Sequence, residues 1–266
     1  MTNISSKFFF LPLTVLAIVL HFSVFGDSTH NPIGFKFLNE AYLAVCLGLS
    51  LLLILASPLM AFDHQRWDAL LDNHVQWQRG GVTTSVDYPG LRKDRAALDE
   101  YLGALSQVSK DDFESWPRDE KLAFLINAYN AFTVDLILRQ DTLPDSIRDI
   151  GSFFSGPWDQ RFFTLLGEAR TLDDVEHKMI RGNPALMDPR IHFAVNCASV
   201  GCPALRPEAY RAKELEQQLA DSTRRFLTDR QRNRFNEKPP HLAVSKIFDW
   251  YEDDFINAAG SLSHYL

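Results

Sequence analysis

The stretch Glu120–Arg139, EKLAFLINAYNAFTVDLILR, limits the fold more than any other part of this chain. At 100° per residue, Leu122, Leu125, Ile126, Tyr129, Thr133 and Leu136 form one stripe of a helix, with Asn127 and Asn130 on its border about 60° apart. A helix this apolar has to sit at the centre of the molecule. Its two asparagine amides then need partners, because an unpaired amide out of water is costly.

Other elements read outward from it. Phe62–Val75 has Trp67, Leu70, Leu71 and Val75 at helical spacing, and Arg79-Gly80-Gly81 ends it. Val82–Tyr88 reads as a short strand, and Lys93–Leu105 as a helix carrying Leu98, Tyr101, Leu102 and Leu105 on one side. Gly167-Glu168 marks a hairpin between Arg161–Leu166 and Ala169–Leu172. Thr171 is placed to cap the helix Leu172–Arg181, with Asp174 reciprocating and Gly182 as its stop. Ile191–Asn196 reads as a strand, Ala212–Leu227 as a helix, Leu242–Val244 as a last strand and Ile247–Phe255 as a closing aromatic segment. Helices outnumber strands and do not alternate with them. The expectation is therefore α+β: one mostly helical domain, residues 62–266, around a small antiparallel or mixed sheet. About 205 residues suffice for one core.

The N-terminal part is chemically different. Residues 1–61 hold only Lys7, Lys36, Asp27 and Glu40, which leaves 27 − 2 = 25 basic and 34 − 2 = 32 acidic residues for the rest. Phe8–Phe25 is apolar apart from such interruptions as Pro12 and His21, and Ala41–Ala61 carries no charge and is long enough to span a bilayer. One or two hydrophobic leader helices are expected over residues 1–61. The segment Ser57–Ala61 resembles a signal exit, so either cleavage after Ala61 or an uncleaved anchor is open. The domain is expected outside the cytoplasm, periplasmic, secreted or held at the inner membrane, with membrane contact through residues 1–61 if they stay attached.

A net charge of −7 and a pI near 5.6 argue against a nucleic-acid partner. The sequence has no glycine-rich phosphate loop, no G-x-S-x-G elbow and no H-E-x-x-H pair. Cys197 and Cys202 have four residues between them and no second pair to complete a zinc cage, so neither a metal nor a cofactor is expected. What remains is thiol chemistry. Cys197 is open to three readings: a nucleophile, half of a disulfide closed at Ser199-Val200-Gly201, or an inert buried thiol.

A nucleophilic cysteine needs a base and something to orient it. On a strand, His192 and Cys197 would face opposite ways, which makes His177, from another element, the first candidate base and His192 the reserve. Asn127 or Asn130 would orient the base or donate to an oxyanion. The expected enzyme is a thiol-dependent hydrolase or acyltransferase acting on a peptide or amide, monomeric in its soluble part. Two rivals stand beside it: a binding or scaffold domain with a structural Cys197–Cys202 pair, and a thiol–disulfide exchange protein.

Four segments, LINAYNAFTVDLIL (Leu125–Leu138), TLDDVEH (Thr171–His177), RIHFAVNCASVGCPAL (Arg190–Leu205) and SKIFDWYEDDF (Ser245–Phe255), resemble the bacterial and plant family called domain of unknown function 547. The resemblance implies one polar site around the central helix, built from Asn127, Asn130, Glu176, His177, His192 and Cys197. Plant members have serine at the position of Cys202, which favours Cys197 acting alone. A looser similarity links the family to papain-like and transglutaminase-like thiol folds, but the family name supplies no reaction.

Overall fold

The computed structural model describes residues 61–151, 155–199 and 201–266. The leader helices expected over residues 1–61 fall outside the described residues, save for Ala61.

The helix α5, Arg118–Leu138, is buried over nearly its whole circumference. Leu122, Phe124, Leu125 and Ile126 are fully sequestered, each contributing roughly 1.5–3 kcal/mol of apolar burial. This helix is also long and apolar enough to cross a membrane by composition, yet its side chains are spent on the core. Asp119 and Glu120 sit in its first turn, where the helix dipole favours negative charge.

Among the described residues, six α-helices and strands lie N-terminal to α5 around it. The helix α1 (Gln65–His74) runs directly into the strand β1 (Val75–Gln78), which pairs antiparallel with β2 (Thr83–Val86), Val75 opposite Val86. A short helix α2 (Tyr88–Lys93) is capped by the Asp87 carboxylate. The helix α3 (Arg95–Gln107) then packs between α1 and α5, and Trp67 of α1 stacks on Tyr101 of α3 at 5.8 Å between ring centres. A one-and-a-half-turn helix α4 (Lys110–Ser115) leads into α5.

Beyond α5, the strands β3 (Phe163–Leu165) and β4 (Glu168–Arg170) form the expected hairpin. Phe163 stacks face to face on Phe132 of α5, centroids 3.9 Å apart, and this fixes the hairpin to the core. The expected capping box is present: Asp174 N–H donates to Thr171 Oγ1 at 2.8 Å and Thr171 N–H to Asp174 Oδ2 at 3.1 Å. The helix it starts is wound as a π-helix over Asp174–Arg181, and Gly182 N–H closes it on the His177 carbonyl. A Cβ at Gly182 would lie 2.8 Å from the Lys178 carbonyl oxygen, so only glycine fits that stop.

A second aromatic cluster closes the other end. Phe193 packs there with Phe226 of the helix α6 (Leu215–Thr228), with Ile247 and Phe248 of α7 (Ile247–Trp250), and with Phe255 of α8 (Glu252–Ala259). Between α6 and α7 stands a third hairpin, β5 (Arg234–Glu237) with β6 (Pro240–Ala243), and the four-residue α9 (Leu262–Tyr265) ends the chain.

Two expectations are corrected. The strands form three separate two-stranded antiparallel hairpins among the described residues, so no single sheet sits at the centre; α5 occupies that place. Ile191–Asn196 is not a strand. Asp188 accepts the Arg190 N–H on its side chain and Pro189 presets the first helical φ, and together they wind Pro189–Phe193 into a 3₁₀ turn. Apolar runs of this length do not distinguish strand from helix by periodicity.

Candidate functional site

Because residues 189–193 turn, the strand argument that set His192 and Cys197 on opposite faces no longer applies. The His192 side chain points inward and is fully buried. Its Nε2 donates to Asp254 Oδ2 at 2.8 Å, its ring stacks on Tyr251 with centroids 3.8 Å apart, and its Nδ1 lies 3.9 Å from Glu176 Oε1 with no hydrogen bond of its own.

The network continues from both ends of that imidazole. Tyr251 donates its hydroxyl to Glu176 Oε1 at 2.7 Å, and the Tyr129 hydroxyl of α5 also bonds Glu176. Arg181 Nε donates to Asp254 Oδ2 at 2.6 Å, its guanidinium lies 4.8 Å from the Tyr251 ring centre, and its Nη1 donates to His177 Nδ1 at 3.0 Å. His177 Nε2 is 3.7 Å from Asp173 Oδ1. The cluster therefore runs from a buried end at His192 and Glu176 to a solvent-facing end at His177 and Asp173, whose side chains are 39% and 45% exposed.

Its electrostatics follow from burial and pairing. Burial holds the His192 imidazole below its ordinary pKa, against the opposing pull of Asp254 and Glu176. Burial would push the Asp254 carboxyl up, but hydrogen bonds from His192 and Arg181 outweigh it and hold the group down at about 2. Burial, reinforced by Glu176, raises both the Tyr129 and Tyr251 phenols. A neutral imidazole hydrogen-bonded to an ionised carboxylate, with a second carboxylate near its free nitrogen, can accept and hand on a proton.

The cysteines sit in the next loop. Asn130 clamps its start: Nδ2 donates to the Ala194 carbonyl at 3.0 Å and Oδ1 accepts the Asn196 N–H at 2.8 Å. Asn196 in turn accepts the Ala198 N–H and donates to the Pro203 carbonyl, and Ala198 is in the left-handed region at φ +53°. Cys197 and Cys202 are joined in a disulfide with Cα atoms 5.9 Å apart. Cys197 is half-buried, Cys202 is buried at 4% exposure, and Arg232 Nη2 donates to the Cys202 carbonyl.

Of the residues singled out in the sequence, Glu176, His177 and His192 thus meet in one network. Asn127 and Asn130 hydrogen-bond to neither histidine. Asn130 holds the loop backbone, and Asn127 makes the same pair of bonds to the backbone N–H and carbonyl of Tyr210. Cys197 is bonded to Cys202, and no hydrogen bond joins either sulfur to His177 or His192. Sequence reasoning missed Tyr129, Arg181, Tyr251 and Asp254. The signal for two of them was present, since Tyr251 and Asp254 stand three apart in the segment SKIFDWYEDDF and so share a helix face. Two surface clefts of about 440 Å³ each lie elsewhere, one bounded by Leu102, Phe132, Arg139 and Phe162, the other by Arg190, Ala220 and Leu227.

Residues 113–227 match the family described as "Protein of unknown function, DUF547". The chain resembles the DUF547 family. The matched stretch contains α5, the π-helix and the disulfide loop, so the DUF547 part supplies Glu176, His177, Arg181 and His192 as well as both cysteines. Tyr251 and Asp254 come from beyond it. No curated protein and no solved structure matches the chain.

Proposed function

We propose that this is a thiol–disulfide exchange protein whose working pair is Cys197–Cys202, acting outside the cytoplasm. The observation that carries this reading is the unequal burial of two bonded cysteines in one short loop, Cys197 half-buried and Cys202 buried. An incoming thiolate would attack the Cys197 sulfur, form a mixed disulfide with it and release Cys202 as thiolate. A second thiol of the same partner would then displace Cys197, leaving the partner oxidised and the pair reduced. Disulfides persist in oxidising compartments, which fits export behind the uncharged Ala41–Ala61 segment.

The test is trapping. With glutathione disulfide as probe, a Cys202→Ser variant of the full-length chain should accumulate a glutathione adduct at Cys197, because the resolving thiol is gone. Cys197→Ser should form little adduct at the buried Cys202. Equal adducts on both variants, or reduction of the native pair only when the protein unfolds, would leave the disulfide a purely structural link.

A second reading, a thiol-dependent hydrolase or acyltransferase that works once the pair is reduced, is favoured by the proton-handling network that begins five residues before Cys197. It predicts that Cys197 in the Cys202→Ser variant alkylates with a pKa well under the ordinary thiol value of about 8.5, and that His177→Ala or His192→Ala restores that value. An ordinary thiol profile in all three proteins would remove this reading and leave the exchange reading standing.

A further inference from the structure

The hairpin β5–β6 has no core to belong to. Seven of its eight strand residues are exposed, Ala243 being the exception. A lone two-stranded hairpin is marginal in water, and stability normally comes from a third strand or a covering layer. Here Phe235 and Leu242 face each other directly across the strands, at 56% and 53% exposure, while the opposite face carries the bonded polar pair Asn236 and His241. Trp250, just after the hairpin, is 56% exposed as well.

The base of this hairpin is rigid. Buried Asn233 donates to the Phe226 carbonyl at 2.7 Å and accepts the Ser245 N–H at 3.0 Å, so one side chain pins both strands to the aromatic cluster behind. The apolar pair therefore projects from a fixed support.

Charge around it runs against the rest of the chain. Residues 230–246 hold Arg230, Arg232, Arg234, Lys238 and Lys246 against Glu237 and no other acid, a net of 5 − 1 = +4 inside a chain of net −7. Arg230, Arg234, Lys238 and Lys246 are all exposed, and no carboxylate pairs with them among the described residues. Arg232 is set apart by its bond to Asp229.

We infer that this hairpin is a membrane-contact element that lays Phe235 and Leu242 into the headgroup region of an anionic bilayer, with Arg230, Lys238 and Lys246, which lie outside the alternating strand positions, on lipid phosphates. Apolar side chains flanked by basic ones match that interface on both counts, and each cation near an anionic surface strengthens attachment roughly fivefold. Lysine and arginine stems bury their methylenes while the charges stay at the phosphates. An acidic protein surface would satisfy the cations but offers no reason for the apolar pair.

Hydrogen–deuterium exchange on the full-length chain in lipid nanodiscs tests the inference, since it reads residues 234–243 whatever residues 1–61 do. Exchange there should be five- to tenfold slower on discs containing phosphatidylglycerol than on pure phosphatidylcholine. About 0.5 M salt should remove most of the difference, because screening at that strength falls within a few ångströms. Arg230→Gln with Lys238→Gln and Lys246→Gln should abolish it, and Phe235→Ser with Leu242→Ser should at least halve it, while α5 peptides exchange as before in every variant. Equal exchange on the two lipids overturns the proposal. So does equal protection by soluble polyglutamate with no bilayer, indifferent to the Phe235 and Leu242 substitutions, which would assign the hairpin to an acidic polypeptide partner.

Discussion

Replacing Asn130 by alanine separates a clamp from a catalytic amide. The side chain is buried and both of its bonds end on backbone, a carbonyl at Ala194 and an N–H at Asn196. Those partners also fix the amide orientation, since only oxygen can face an N–H and only nitrogen a carbonyl. Truncation orphans both groups. Ala194 is buried, so its carbonyl should cost near the middle of the 1–3 kcal/mol range for an unsatisfied group, while half-buried Asn196 can recruit water and should cost near the bottom. The expected loss is about 2–4 kcal/mol, or roughly 5–15 °C in Tm for a domain of this size. Asn127→Ala orphans two backbone groups on buried Tyr210 and should cost at least as much. The two variants should differ at the disulfide. Of the two asparagines, Asn130 is the one bonded to the Cys197 loop, so Asn130→Ala and not Asn127→Ala should speed reduction of Cys197–Cys202 by dithiothreitol under native conditions, by about tenfold or more. Urea unfolding followed by tryptophan fluorescence gives the first quantity, and alkylation with intact-mass readout the second. A loss below about 0.5 kcal/mol for Asn130→Ala, or equal acceleration in both variants, would refute the clamp.

Further outcomes follow from other buried groups. Burial, with the Arg211 charge, lowers His64 to about 4, and burial also holds His192 down, so the folded state binds fewer protons than the unfolded one between about pH 4 and 6.5. Stability should therefore be full above about pH 6.5 and fall on acidification, with a slope approaching 1.4 kcal/mol per pH unit for each histidine. A urea midpoint that is flat or rises from pH 7 to 5 would contradict this, and His64→Gln should flatten the dependence. Asp135 is wholly buried and accepts from Arg95 at 2.6 Å and Arg139 at 2.8 Å. Asp135→Asn should cost about 2–3 kcal/mol by chemical denaturation, less than a fully enclosed pair because both arginines can turn to water. Gly103 lies inside α3 and a Cβ there meets no atom within 4 Å, so Gly103→Ala should stabilise by about 0.5–1 kcal/mol. A destabilised Gly103→Ala protein would show that the space beside α3 is filled in solution.

How much of this molecule could be read from its residues depends on whether a signal was local. The central helix, the β3–β4 hairpin and the Thr171–Asp174 box came through because each is encoded within a few residues: an apolar run, a Gly-Glu turn, a reciprocal pair of side chains. The β5–β6 hairpin was half seen, as Leu242–Val244 without its partner, because Arg234–Glu237 has no alternating apolar pattern and no core face to create one. Ile191–Asn196 misled for the converse reason. Its apolar residues are buried by a 3₁₀ turn that Asp188 and Pro189 start, and those two lie outside the window in which a strand would be judged. At the site, Glu176, His177 and His192 were recognisable as residue types that handle protons, but their grouping depends on Asp254, 62 residues beyond His192, and on Tyr129, 47 residues before Glu176. No periodicity carries information over those distances. The asparagines show the limit most clearly. A polar residue on the edge of an apolar helix announces only that it needs a partner, and both a catalytic group and a backbone carbonyl meet that need. Tyr210 and Ala194 decided between them, and they are neighbours of α5 only after the chain has folded.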